Sequence, residues 1–469
     1  MASSDQVARG GVATATLDRP YARAPFALRP PRTGPRGPRG RARSSNSERT
    51  ALVATAVAIA LVPWIKPSGP ANLGVADVFM GLAVVTCALW MSAVRHKLRF
   101  PFIVGIVLML AGGALGALAG PVPGKAAAAL AQDIWLFVWC WAVVNFASSA
   151  GRLRVLLATW AYSAVAWSTL LIAALIAGWP SLAGITDAEG SRTTLTFGDP
   201  SYSASYYFIS IMVIWACGYP RHRSARIAAY TMLVVAILST GSNSGLVSLT
   251  VGVAVATVLG AMARWGWAAG IPIIGALVVA AVLLVSGVNV RQEQEKAHSS
   301  QYAFVRDGLG RSEDSASLRG RLLDESIELV KAGGPVGTGP VSTKPRLQAE
   351  RAPVIKEAHD DYLASILERG VLGLLGLFAL LASLGARALP LARARLGGEF
   401  SSVVPRPYAL LGAVAGTVAA MSAYELLHVR HVWALFALIA AASIWGEAGR
   451  RGRGPGRRGS RRVVADLHR

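Results

Sequence analysis

The stretch AHDDYLASILERGVLGLLG, residues 358–376, decides how this chain is read. A histidine and two aspartates, His359, Asp360 and Asp361, stand directly before an apolar run. Titratable groups in that position mark either a break in a soluble core or the mouth of a membrane span. The remainder of the chain separates the two. Of its 469 residues, 53% are apolar and only 15% charged. Apolar runs near the ~20 residues needed to cross a bilayer recur along the whole length. An all-α integral membrane protein is expected, and 358–376 is then the outer edge of a span.

A hydropathy reading with a ~19-residue window gives about twelve spans. They fall at 50–66, 72–94, 100–119, 126–149, 154–178, 203–219, 224–241, 244–262, 266–288, 361–385, 406–426 and 430–447. The charge distribution tests that count. The chain carries 47 Lys and Arg against 25 Asp and Glu, a formal net charge of +22. With the N-terminus placed inside, the basic stretches RHKLR (95–99), GRLR (151–154), PRHRSAR (220–226) and RALPLARAR (387–395) all fall on the cytoplasmic side. Both arginine-rich ends do too, and that requires an even number of crossings. The basic excess thus follows the membrane and not a nucleic acid.

The domain organisation follows. Residues 1–49, with RPPRTGPRGPRGRARSS, read as a disordered Arg/Pro-rich cytoplasmic tail, and 448–469 as its basic counterpart. Residues 50–288 hold spans one to nine, with an external loop at 179–202. Residues 289–360 form the one large extracytoplasmic loop. Its acidic and basic residues balance in number, so it reads as a folded cap. Within it, SLRGRLLDESIELVKAGGP (317–335) has the spacing of an amphipathic helix ended by Gly333-Gly334-Pro335. Residues 361–447 hold spans ten to twelve. Cys87, Cys140 and Cys217 lie inside apolar segments without metal-ligand spacing and read as small buried hydrophobes.

No soluble-enzyme motif is present: there is no P-loop and no HExxH, and SNSGL (242–246) does not meet G-x-S-x-G. The candidates for chemistry are charged groups at the outer face. His359 is either a general base, titrating near neutrality, or an ordinary boundary histidine whose neighbours Asp360 and Asp361 cap a helix. Arg192, Arg319 and Arg321 are external arginines that the inside-positive bias does not explain. They either hold a diphosphate through their planar fork or form surface pairs such as Arg321 with Glu325. Tyr362 and Glu368 follow on the tenth span. Asp77, Asp133 and Glu425 lie in or near spans and have either a functional role or a Trp, Arg or hydroxyl partner on a neighbouring helix. His428 and His431 flank the last external turn. No carboxylate cluster suggests a metal, and no cofactor is expected.

Three stretches together resemble the O-antigen ligase/polymerase superfamily of bacterial membrane glycosyltransferases. SRTTLTFGDPSYSASYYF (191–208) is similar to that family's Arg-containing loop and F-x-[DN]-P-N turn. LSTGSNSGL (238–246) is similar to its [ST]-x-[ST]-R-[ST]-x turn. GRLLDESIELVKAGGPVGTGP (320–340) with AHDDYLASILERGVLGLLG resembles its R…helix…P-x-x-G-x-G followed by H-[NS]-x-[YF]-L-x-x-x-x-E-x-G-x-x-G. The departures are Asn243 for arginine, Ser201 and Asp360 for asparagine, and a Pro–Gly spacing shorter by one. The resemblance spans roughly 190–390. It implies a GT-C-like helical fold and an inverting, metal-independent transfer of a glycan from polyprenyl diphosphate to an acceptor hydroxyl outside the cytoplasmic membrane. His359 would match the catalytic histidine. Arg192 and one of Arg319 or Arg321 would match the diphosphate-binding arginines, while Tyr362 and Glu368 would orient the helix. The acceptor is a lipid, wall polymer, protein or growing glycan, so ligase and polymerase stay open. A flippase-like transporter and a non-catalytic assembly subunit are the competing classes. The transporter would gather ionisable groups and broken helices near the midplane.

Overall fold

The computed structural model describes residues 46–66, 73–186, 191–287, 296, 299–300, 321, 324–331, 334–349, 351, 360–393 and 399–451. Every one of the twelve apolar segments holds a long helix. These are α1 (Asn46–Leu61), α2 (Val75–Ala93), α3 (Ile103–Ala119), α4 (Pro123–Phe146), α5 (Ala150–Ile176), α6 (Pro200–Cys217), α7 (Arg223–Thr240), α8 (Asn243–Trp265), α9 (Gly270–Gly287), α10 (Asp361–Arg393), α11 (Tyr408–Ala420) and α12 (Arg430–Arg451). Among the described residues there is no strand. Five of the helices, α2, α4, α5, α8 and α10, are long and apolar enough to cross a membrane.

The helices present apolar side chains outward in helical register. On α2, Val78, Leu82, Val85 and Leu89 are each more than half exposed. On α10, Val371, Leu375 and Phe378 repeat the pattern. Water would penalise such stripes, whereas a lipid solvent does not. The protein is therefore a multi-pass membrane protein. α6 is the inverse case: all but two of its residues are buried, so it forms the centre of the bundle.

Small residues set the tightest contacts. Gly105, Gly112 and Gly116 of α3 face the backbone of α10, where a Cβ would come within 2.4–2.6 Å of Leu380 N, the Arg369 carbonyl and the Glu368 carbonyl. Gly412 and Gly416 of α11 approach Gly252 and Ser248 of α8 in the same way. Close backbone approach through glycine is the usual means of joining helices where lipid removes the hydrophobic drive between them.

The structure differs from the sequence reading in four places. α10 is not one straight span. Gly370 breaks it with φ 66° and ψ −167°, leaving a short first half-helix, 361–369. The break exists because the glycine-rich segment 334–340 lies against it. Val371 N–H donates to the Pro335 carbonyl at 2.9 Å, and a Cβ on Gly370 would meet that same oxygen at 2.2 Å. The eleventh helix stops at Ala420, and 421–429 form a turn whose amides have other partners. The loop 179–202 contains a helical turn, Pro180–Ala183, and gives its last residues to α6. Finally, α1 starts at Asn46 and α12 runs to Arg451, so helix extends into both expected tails; 1–45 and 452–469 lie outside the described residues. Of the expected cap helix, 324–331 are helical, and Leu329 is buried against Leu347 and Leu367. The three cysteines are buried and unpaired.

Candidate active site

Three loops at one end of the bundle close on one another. The first leads into α6. Asp199 caps that helix, its Oδ1 accepting from the amides of Ser201 at 2.7 Å and Tyr202 at 3.2 Å, with Pro200 at the first helical position. Upstream, the Arg192 side chain is buried and donates through Nε to the Thr240 carbonyl at 2.9 Å. Thr193 bonds Ser239 through both backbone, at 3.2 Å, and hydroxyl, at 2.8 Å.

The second loop is the two-residue turn between α7 and α8. Ser242 caps α8 and donates to Ser201 Oγ at 3.2 Å, while Ser244 shares its hydroxyl at 2.9 Å. Gly245 allows α6 to come this close, since a Cβ there would stand 2.5 Å from that of Ala204. The stretches 191–208 and 238–246 therefore form one unit, joined by four hydrogen bonds.

The third is the start of α10. Asp360 accepts from the amides of Tyr362 at 2.7 Å and Leu363 at 3.0 Å, so it is the helix cap. Burial raises its pKa above the usual carboxylate range, opposed by those two N–H groups. Asp361 is buried and faces the 421–429 turn, where it accepts from Leu426 N at 2.7 Å and Leu427 N at 3.3 Å; its own amide donates to the Met421 carbonyl at 2.8 Å. Tyr362 donates to the Val418 carbonyl at 3.0 Å. The same turn reaches the first loop, because the Tyr424 hydroxyl donates to Asp199 Oδ2. The 421–429 turn thus ties the entrance of α10 to the entrance of α6.

His359 and Arg319 lie outside the described residues. Arg321 is exposed at a helical position in the cap. Glu368 is buried and binds loop backbone: it accepts from Val341 N at 2.9 Å and from Thr343 Oγ1 at 2.7 Å, and it fixes the 338–343 segment against α10. That is an orienting part. Between this segment and the half-helix is a cavity of 210 Å³ lined by Leu329, Pro335, Thr338, Arg346, Ile366 and Leu367, among others.

The intramembrane carboxylates have partners on neighbouring helices. Asp77 pairs with Arg430 at 2.6 Å and accepts from Trp135 Nε1 at 3.1 Å. Asp133 pairs with Arg369 at 2.6 Å and faces His428 Nδ1 at 3.4 Å. The partners Arg369 and Arg430 are absent from the sequence reading. Depth was the available signal: Asp133 and Arg369 lie about 15 Å and about 12 Å from the first residues of their helices at ~1.5 Å per residue, opposite charges at one level. His431 is fully buried with Nε2 3.1 Å from Ser205 Oγ. Among the described residues no group of three His, Cys, Asp or Glu forms a metal-ligand set.

The arrangement is a polar, backbone-anchored rim on an apolar bundle, with a buried guanidinium on one side and a titratable segment on the other. Residues 201–378, from the first turn of α6 to the middle of α10, match the family model described as O-Antigen ligase. No curated protein matches the chain. Over that matched stretch, a little more than a third of its length, the chain is similar to the O-antigen ligase family.

Proposed function

We propose that this protein transfers a glycan from polyprenyl diphosphate to an acceptor hydroxyl outside the cytoplasmic membrane, by an inverting reaction that uses no metal. Twelve spans place both termini in the cytoplasm, and the rim built by 191–208, 238–246 and 360–369 faces outward. His359 removes the proton from the acceptor hydroxyl. The freed oxygen attacks the anomeric carbon, and the bond from that carbon to the diphosphate oxygen breaks. The departing polyprenyl diphosphate gains charge as this happens. Arg192, with Arg319 or Arg321, stabilises that charge as preorganised donors. Asp360, Asp361, Tyr362 and Glu368 hold the segment that carries His359.

One observation carries the reading. The turn 421–429 binds Asp361 through two amides and Asp199 through Tyr424, so the segment next to His359 and the segment next to Arg192 share one anchor. Residues separated by more than 150 positions are held at one end of the bundle. A broken helix is also a transporter feature; here the break at Gly370 lies in the first third of α10, against the segment 334–340 that Glu368 anchors.

The test uses purified wild type and His359→Ala, matched for expression and monodispersity. Each receives polyprenyl-diphosphate glycan and candidate acceptors in detergent with EDTA. Release of polyprenyl diphosphate by wild type alone supports the reading. Equal release by both variants removes His359 from the mechanism. A lipid-translocation signal without release would make the protein a transporter.

A further inference from the structure

The half-helix 361–369 is held at both of its ends by groups from a single turn and one neighbouring helix. At its start, Asp361 accepts from Leu426 N and Leu427 N. At its end, just before the break at Gly370, Arg369 Nη2 pairs with Asp133 Oδ2 of α4 at 2.6 Å. The other oxygen of Asp133 faces His428 Nδ1 at 3.4 Å, and His428 is the residue directly after Leu427. The loop is closed: half-helix, Asp133, His428, turn, half-helix.

His428 is the adjustable member. Its second ring nitrogen, Nε2, lies 3.8 Å from Glu425 Oε2. A neutral imidazole donates from one nitrogen only, so two carboxylates on opposite edges call for the doubly protonated ring. The charged groups facing it are Asp133 from α4, Glu425 from its own turn, and Arg369 and Asp361 from α10. Burial opposes its charge, but Asp133 and Glu425 outweigh both that and Arg369, and its pKa is pushed up to about 9.

We propose that Asp133, Arg369 and His428 form a charge clamp that positions the half-helix 361–369, and that the clamp loosens when His428 loses its proton. These are positioning residues. They act through the half-helix 361–369, and their link to catalysis rests on the role assigned to His359 above. The clamp itself is independent of that role. The sequence around it fits: Gly370 interrupts α10 directly after Arg369, so the contacts at Asp361 and Arg369 add to those of Tyr362 and Glu368 in holding a short separate segment.

The experiment is hydrogen exchange of the peptide covering 358–369 in the full-length protein in nanodiscs, from pH 6 to 10, corrected for intrinsic exchange. Wild type, His428→Gln and His428→Lys are compared, alongside lipid-diphosphate release. Wild type should lose protection in 361–369 on the order of tenfold as pH rises through about 9, the scale of one weakened charged hydrogen bond. His428→Gln should show that loss already at pH 7. His428→Lys, which keeps a cation, should hold protection to higher pH than wild type, and its release rate should follow in kcat with donor KM unchanged. Protection that is flat with pH in wild type, or equal in wild type and His428→Gln, overturns the clamp. If His428→Gln fails to fold, the comparison of wild type with His428→Lys still decides. The expected exchange pattern in a protein that releases no lipid diphosphate would keep the clamp and reject the transferase reading.

Discussion

Gly112→Ala reverses a familiar rule, and the structure gives the size of the effect. Within a helix, alanine is favoured over glycine by about 1 kcal/mol. At position 112 a Cβ would stand 2.4 Å from the Arg369 carbonyl oxygen, 2.7 Å from Gly373 N and 3.2 Å from Gly373 Cα. All three are backbone atoms of α10, so no rotamer change relieves the contact. The helices must part by roughly 1 Å to restore ordinary contact distances. The same face of α3 meets α10 at Gly105 and Gly116 as well, so the parting loosens three levels together. Overpacking of this kind is destabilising by about 1–3 kcal/mol. Set against the helix propensity, the net loss is about 0–2 kcal/mol, at the upper end where three levels part together. Gly275→Ala in α9 is the control, since nothing lies within 4 Å of its added Cβ. There the propensity acts alone, and a gain of about 0.5–1 kcal/mol follows. Thermal unfolding of the full chain in mild detergent, read as loss of the monodisperse species, separates them. Gly112→Ala should melt below wild type and Gly275→Ala at or above it. If Gly112→Ala melts at or above wild type, the close approach of α3 and α10 is wrong.

Three further outcomes are expected. Asp77→Ala leaves Arg430 buried without its carboxylate and should be destabilising by about 3–5 kcal/mol, read as loss of the folded fraction on size exclusion; a near-normal melt would show that the pair adds little. Glu368→Gln keeps one acceptor for Val341 N and Thr343 Oγ1 but loses the charge, for a loss of about 1–2 kcal/mol in melting and freer proteolysis of the 334–349 segment. The pH dependence of stability follows from His428, whose folded pKa is raised above its unfolded value of about 6.5. Its contribution is complete below pH ~6.5 and is lost as pH rises through about 9, so the melting temperature should fall across that window and His428→Gln should flatten the fall.

Twelve helices could be located from hydropathy because each buries or exposes a whole apolar run, and that property belongs to a local window. The capping roles of Asp360 and Asp199 were equally local: each aspartate accepts from amides two and three residues ahead. The partners of Asp77 and Asp133 were not local. Asp77 and Arg430 are separated by 353 positions, and no spacing rule joins them. Only a depth argument could, and it requires the order in which helices pack, which hydropathy does not carry.

The break in α10 shows a different limit. ERGVLGLLG reads as a helix with glycines at packing distance, and Gly376 does serve that way against α3, while a Cβ on Gly373 would stand 2.1 Å from that of Arg369 across the break. Gly370 has the same local context and a different task. Its positive φ becomes favourable only once Pro335 and Val336, more than 30 residues upstream, occupy the space a side chain would need. Three glycines of one segment thus have two functions, and what distinguishes them is a tertiary contact. The half-helix that results is short, anchored at both ends, and begins two residues after His359 in the sequence. In a continuous α10 the placement of residues 361–369 would be set by the packing of the whole span. With the break, their own contacts at Asp361, Tyr362, Glu368 and Arg369 hold them, so small changes there act on the half-helix without repacking the bundle.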